Sequence, residues 1–221
     1  MEWTKQEVAG MIDHTNLKAF ATEADIEKLC GEAAANGFKS VCVNPVFVKK
    51  CREALKGSGV LTCTVISFPL GQNTIAEKVS EAKAAVADGC QEFDYVLNVG
   101  KMKEHDYAYI EEEMKALTAV ARETGSTIKV IFETCYLTDE EIAEAAKIAS
   151  RVKPDFIKTS TGFGTGGATA AHVAIMKQNG GTDVQVKASG GIRSWEEAKA
   201  MLEAGATRLG VSAGMMIIAE M

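Results

Sequence analysis

Proline is scarce, three in 221 residues, and no stretch of biased composition separates one part of the chain from another. That excludes a long linker or a disordered arm and points to one folded domain. Long apolar runs are missing too. The N-terminal MEWTKQEVAGMIDHT mixes acids with apolar residues at helical spacing and has no basic start followed by an apolar core. Neither a membrane-spanning helix nor a secretory leader has that pattern, so a cytoplasmic protein with no membrane partner is expected. The six cysteines (Cys30, Cys42, Cys51, Cys63, Cys90, Cys135) contain no C-x-x-C pair, and His14, His105 and His172 lack metal-ligand spacing. Reduced, mostly buried thiols follow, with no zinc site and no disulfide framework. Charge of one sign is also weak. A net charge of -6 spread along the chain leaves no broad face for a phosphate backbone, so nucleic acid is not an expected partner.

What the chain does have is a repeating unit. Short runs rich in Val, Ile and Phe alternate with longer Ala, Glu and Lys-rich stretches of helical period, the pattern of strands joined by crossover helices. Eight strands read out in order: MIDHT near Asp13, SVCVNP from Ser40, LTCTVISF from Leu61, EFDYVLNV from Glu92, TIKVIFET from Thr127, DFIKTS from Asp155, VQVKASG from Val184 and TRLGVS from Thr207. Helix signals fall between them. Thr22, Thr138 and Ser194 stand where N-caps belong, acids follow Thr22 at Glu23 and Asp25, and Gly37 and Gly205 stand where helices stop. Eight such units with short connections predict an α/β fold, a single (β/α)8 barrel over residues 1–221 opened by a short N-terminal helix. An open doubly wound sheet is the competing architecture, since periodicity alone does not prove closure.

Alternation inside the strands carries the chemistry, because successive side chains point to opposite faces. In VQVKASG, Val184 and Val186 oppose Gln185, Lys187 and Ser189; in TIKVIFET, Ile128, Val130 and Phe132 oppose Lys129, Ile131 and Glu133. A parallel strand buried on both faces is expected to be almost wholly apolar, so charges near several strand ends need a reason. A lysine in D-F-I-K-T-S, flanked by apolar residues, would lose hydration and with it the preference for the charged form, as a Schiff-base nucleophile requires. The alternative for Lys158 is a plain ion pair with Asp94 or Glu133. Lys187, on the next strand, disfavours protonation of Lys158 by like-charge repulsion, while Asp94 is placed to accept and donate protons. Spacing does not say which lysine attacks.

Glycine clusters follow the sixth, seventh and eighth strands, in TGFGTGG, SGG and LGVSAG. They let backbone N–H groups approach an anion, and barrels often bind phosphate in this region, with the helix starting at Ser194 and Trp195 pointing its positive end the same way. Arg193 lies close by, with a solvent-facing helix start as its alternative. Asp13 and Thr15 end the first strand, where they either orient lumen side chains or cap the strand. Cys42 is placed to line the site without taking part.

Through IDHTNLKA, VCVNP, DYVLNVG, KVIFET, IKTSTGFGTGGAT, VKASGGIR and GVSAG, almost end to end, the chain closely resembles the deoxyribose-phosphate aldolase family. The resemblance implies a class I aldolase that makes a Schiff base at Lys158. It makes Asp94 the proton-relay acid and base, and Lys187 the second lysine that perturbs Lys158 and supports the relay. It places phosphate contacts at Gly162, Gly190, Gly191, Gly210 and Ser212, with Asp13, Thr15, Cys42 and Lys129 in support. Sugar phosphates and aldehydes would be the partners, no metal or organic cofactor would be needed, and a homodimer is the implied assembly. Phe163 and Ala213 depart from members that carry a lysine and a second serine there, which weakens the phosphate site. The tail AGMMIIAEM lacks the tyrosine some members place near the site. A phosphosugar isomerase and a non-catalytic sugar-phosphate binder are the competing functions.

Overall fold

Each strand divides its side chains between two environments. Phe93 and Tyr95, Ile128 and Val130, Ile157, Val184, Val186 and Ala188 turn outward and belong to one large buried apolar layer beneath the helices. Their neighbours turn into the barrel. The computed structural model describes residues 3–221, so the first two residues of the N-terminal stretch lie outside it.

After α1 (Lys5–Ala9) the chain alternates as β1 (Ile12–Asn16), α2 (Glu23–Asn36), β2 (Ser40–Val43), α3 (Val48–Ala54), β3 (Leu61–Ile66), α4 (Ile75–Ala87) and β4 (Glu92–Val96). Two helices follow, α5 (Val99–Lys103) and α6 (Tyr107–Thr124), then β5 (Thr127–Ile131), α7 (Asp139–Val152), β6 (Phe156–Lys158), α8 (Ala170–Asn179) and β7 (Gln185–Ser189). The chain ends with α9 (Trp195–Glu203), β8 (Arg208–Val211) and α10 (Gly214–Ala219). All eight strands are parallel and in sequence order, and β8 pairs with β1, so the sheet closes into a (β/α)8 barrel. Among the described residues no helix is long and apolar enough to cross a membrane.

The caps sit where the sequence puts them. Thr22, Thr138 and Ser194 each accept from the N–H three residues on, while the acid at that position reaches back to the cap's own N–H. Strand ends are shorter than their apolar runs. Pro45 starts a 3-10 turn that ends β2, and Glu133 turns into the left-handed region at φ 54 just past β5. Both bends carry the chain away from the sheet to build the loops over its carboxyl-terminal end.

One ion pair stitches β4 to the helices behind it. Lys78 on α4 donates to Glu113 on α6 (2.6 Å) and to the carbonyl of Val96 (2.8 Å), and Glu113 also accepts the N–H of Asn98 (3.1 Å). Both side chains are fully buried, and burial pulls the lysine down and the glutamate up from their ordinary pKa values. Removing one partner strands the other charge. Lys78→Met is expected to lower the unfolding free energy by about 3–5 kcal/mol in urea denaturation, and Lys78→Met with Glu113→Leu to recover most of it. A loss under about 1 kcal/mol in the single variant would show that the pair contributes nothing.

Candidate active site

Register decides which side chains meet in the lumen. Lys158 on β6 pairs across with Lys187 on β7, and Lys187 with Arg208 on β8, so three cations lie side by side on adjacent strands. Parallel neighbours are about 4.8 Å apart, and such a row repels itself unless anions reach it from other strands of the barrel. Three do. Lys129 on β5 bridges Glu92 (2.7 Å) and Asp94 (2.8 Å), Lys187 bridges Asp13 (2.5 Å) and Asp94 (2.8 Å), and Arg208 bridges Asp13 (2.8 Å) and Glu92 (3.0 Å). The result is a closed ring of three cations and three carboxylates, alternating in sign. Lys158 stands on this ring as a fourth cation, its Nζ 2.7 Å from the Asp94 oxygen that Lys187 also holds.

Burial alone would raise the pKa of Asp94, but the ammonium groups of Lys129, Lys158 and Lys187 outweigh it and hold the carboxyl well below its usual range. Asp13 is lowered against the same burial penalty by Lys187, Lys129 and Arg208. Desolvation disfavours the charged form of Lys187 and Lys129, yet Asp13 and Asp94 for the first, and Asp94 foremost for the second, hold both firmly protonated. The ring cations are therefore locked in their charged forms. Of the ring and Lys158, the group that forms part of the wall of the large cleft, about 660 Å³, over the barrel mouth is Lys158.

Thr15, Gly162, Ser189, Gly190, Gly191, Gly210 and Ser212 line the same cleft. Gly190 and Gly191 have φ of 85° and 80°, the left-handed region, and the carbonyl of Gly190 accepts the N–H of Ala168, binding the loops after β6 and β7 together. Gly210 has a different reason to be glycine: a Cβ there would lie 2.8 Å from Lys187 Cε and 2.9 Å from Ser189 Cβ. It makes room for the second lysine. The helix after β7 is also corrected. The N–H groups of Arg193 and Ser194 are taken by Glu197 (2.6 and 3.2 Å), and that of Trp195 by Glu220 (2.7 Å), so the amides that start α9 are satisfied by carboxylates of the chain itself.

Other expected residues fall as follows. Glu133 does not pair with Lys158; its carboxylate accepts the N–H and hydroxyl of Thr161 and braces the loop after β6. Thr15 hydrogen-bonds its hydroxyl to the carbonyl of Asp13 (2.9 Å), and Asp13 belongs to the ring instead of capping its strand. Cys42 is fully buried in a small cluster with Leu17, Cys63 and Val65, and Cys63 donates to Asp94 (3.3 Å). The two sulfurs and the Asp94 carboxylate come within 4.8 Å of one another, but three ammonium groups already hold that carboxylate, and a metal cation there would meet like charge. Phe163 is half exposed at the cleft edge and packs edge-on against Phe68 at 5.4 Å.

Glu92 and Arg208 are the site residues that sequence reasoning missed. The signal was present: Glu92 stands two residues before Asp94, and Arg208 two before Gly210, so alternation puts each pair on one face.

Residues 8–219 match the family described as DeoC/LacD family aldolase. The chain is 51% identical over 214 residues to the deoxyribose-phosphate aldolase of Lysinibacillus sphaericus, covering 97% of this chain and 96% of that one. It is 50% identical over 214 residues to the deoxyribose-phosphate aldolase of Thermococcus gammatolerans, covering 96% and 95%. A tetrameric deoxyribose phosphate aldolase from Aeropyrum pernix superposes with a TM-score of 0.89 at 32% identity, covering 98% and 91%.

Because Asp13 and Asp94 titrate below the ordinary carboxyl value of 3.8 in the folded chain, the stability they confer is complete above that value and is lost as pH falls through their lowered pKa values. Thermal unfolding is expected to show a marked loss only below about pH 4. Asp94→Asn is expected to be less stable at neutral pH and to lose less on acidification. A variant curve parallel to the wild type would show that Asp94 carries none of this acid sensitivity.

Proposed function

Since the chain belongs to the DeoC/LacD family of aldolases, we propose that it cleaves and re-forms 2-deoxyribose 5-phosphate, with Lys158 as the amine that forms the Schiff base. It is a lyase acting on a carbon–carbon bond. The observation that carries the assignment to Lys158 is charge balance. Four cations gather around Asp13, Glu92 and Asp94; three of them bridge two carboxylates each, and Lys158 has one partner that it shares and an open side to the cleft. Lys158 stands outside the balanced pairs of the ring.

In the proposed cycle neutral Lys158 attacks the C1 aldehyde of the open-chain sugar, and loss of water gives an iminium that can accept an electron pair. Asp94, kept ionised by its lysines, removes the C3 hydroxyl proton through a water. The C3 oxygen becomes a carbonyl, and the C2–C3 bonding pair moves into the iminium. Glyceraldehyde 3-phosphate departs, leaving an enamine. Protonation of its carbon and hydrolysis release acetaldehyde and restore the amine, with protons passing by way of Asp94 and its water while Lys187, itself held charged, keeps that carboxylate ionised. No metal or organic cofactor enters these steps. Backbone amides at Gly162, Gly190, Gly191 and Ser212 receive the phosphate, while Gly210 serves the site by leaving space for Lys187.

We also propose a cytoplasmic homodimer as the working form. The six free cysteines suit a reducing compartment, exposed Phe20, Val46 and Leu70 supply apolar surface, and the Aeropyrum pernix relative is itself an oligomer.

Borohydride reduction in the presence of the sugar phosphate is expected to label the peptide carrying Lys158; a label elsewhere, or none, would sink the assignment. Lys187→Leu removes a ring cation, so the remaining charges balance with Lys158 protonated, and turnover at neutral pH is expected to fall by about a hundredfold or more. Near-normal turnover would show that burial alone activates Lys158. Phe163→Lys adds a cation at the cleft edge, and KM for the phosphorylated sugar is expected to fall by about tenfold with little change for the sugar lacking phosphate. An equal change for both sugars would remove phosphate from the explanation.

A further inference from the structure

We propose that Glu92 and Arg208, buried beneath the cleft, are positioning residues that set the protonation of Lys158 through the charge of the ring below it. The proposal rests on Lys158 being the Schiff-base amine and goes beyond it, because neither residue is placed to meet the substrate.

The groups around Lys158 can be counted strand by strand. β4 supplies Asp94, which contacts Lys158, and Glu92, which does not; β5 supplies Lys129, on the other oxygen of Asp94; β7 supplies Lys187; and β1 and β8 supply Asp13 and Arg208. Cys42 and Cys63 come from β2 and β3, and Cys63 donates to Asp94. Glu133, just past β5, is turned away to Thr161. With the thiols neutral, three carboxylates face Lys129, Lys187 and Arg208, and the ring is neutral without Lys158.

Arg208 and Glu92 close this ring on the side away from the cleft. Arg208 holds Glu92 (3.0 Å) and Asp13 (2.8 Å), and lies 4.9 Å over the ring of Phe156, while Glu92 holds Lys129 (2.7 Å) against Asp94. Each member of the pair therefore shifts the net charge of the lumen by one unit, and together they fix the direction in which Lys129 and Lys187 present theirs to Asp94. In a lumen of low effective dielectric, one unit of charge a few ångströms away changes the balance between ammonium and amine strongly. Taking away the Glu92 charge leaves the lumen with a further positive excess, which favours neutral Lys158. Taking away the Arg208 charge leaves it balanced with Lys158 protonated, which favours the ammonium.

A role limited to holding the fold predicts no such opposition of sign. The test is the pH dependence of adduct formation at Lys158, with acetaldehyde as probe, cyanoborohydride as trap and peptide mass spectrometry as readout. Glu92→Gln is expected to move the midpoint about one pH unit toward acid, and Arg208→Gln about one unit toward alkali. The double variant and Arg208→Lys, which both keep the charge total, are expected to stay near the wild-type midpoint even where their rates fall. Midpoints unmoved in both single variants, or moved the same way, would overturn the proposal. If either single variant fails to fold, a displaced midpoint in the double variant or in Arg208→Lys overturns it equally. Adduct on a different lysine would instead remove the Schiff-base assignment and leave the ring question separate.

Discussion

Three cations on neighbouring strands in direct register are the constraint from which the rest of the lumen follows. Lys158, Lys187 and Arg208 stand in a row across β6, β7 and β8, and no sheet would tolerate that row by itself. Closure of the barrel brings Asp13 from β1 and Glu92 and Asp94 from β4 to face them, and Lys129 completes the alternation. Each ring member has partners of opposite sign on two sides, which is what makes so much buried charge tolerable against its desolvation cost. Asp94 is the shared hinge, since it belongs to the ring and also holds the cation outside it.

That arrangement is affordable because stability comes from elsewhere. The large apolar layer lies between the strands and the helices, not in the barrel interior, where the apolar cluster is confined to Leu17, Cys42, Cys63 and Val65 with Phe68 against it. Behind β4, the buried Lys78–Glu113 pair ties the strand that carries Asp94 and Glu92 to α4 and α6. On the open side, Glu133 braces Thr161, and Gly190 joins the loop after β6 to the one after β7. The outer shell thus leaves the lumen free to carry charge and the loops to shape a cleft with Lys158 in its wall.

Much of this was legible locally. Apolar alternation located all eight strands, because a half-turned strand must show one apolar face whatever its neighbours are. Thr22, Thr138 and Ser194 marked their helices because a cap is a contact between residues three apart. Lys158, Lys187 and Asp94 stand out because charge on a doubly buried strand is anomalous in itself, whereas the supporting places of Asp13 and Lys129 came with the family resemblance. The readings that changed concern hydrogen-bond partners, some three or four residues away and others distant in the chain. The amides of Arg193, Ser194 and Trp195, which the sequence offers to an anion, are taken by Glu197 and Glu220, and Glu133, which it offers to Lys158, holds Thr161.

The sequence by itself determined the eight-fold unit, the family resemblance and the residue types gathered for the chemistry, all of which depend on patterns within a few residues. Which charges surround Lys158 is a question of balance among β1, β4, β5, β6, β7 and β8, and only the closed tertiary structure decides such a balance. Pairing in a barrel depends on register and stagger around the whole circuit, and no local spacing encodes which carboxylate lies opposite which lysine. The fold places Lys158 against Asp94 and leaves it as the one cation beyond a neutral ring.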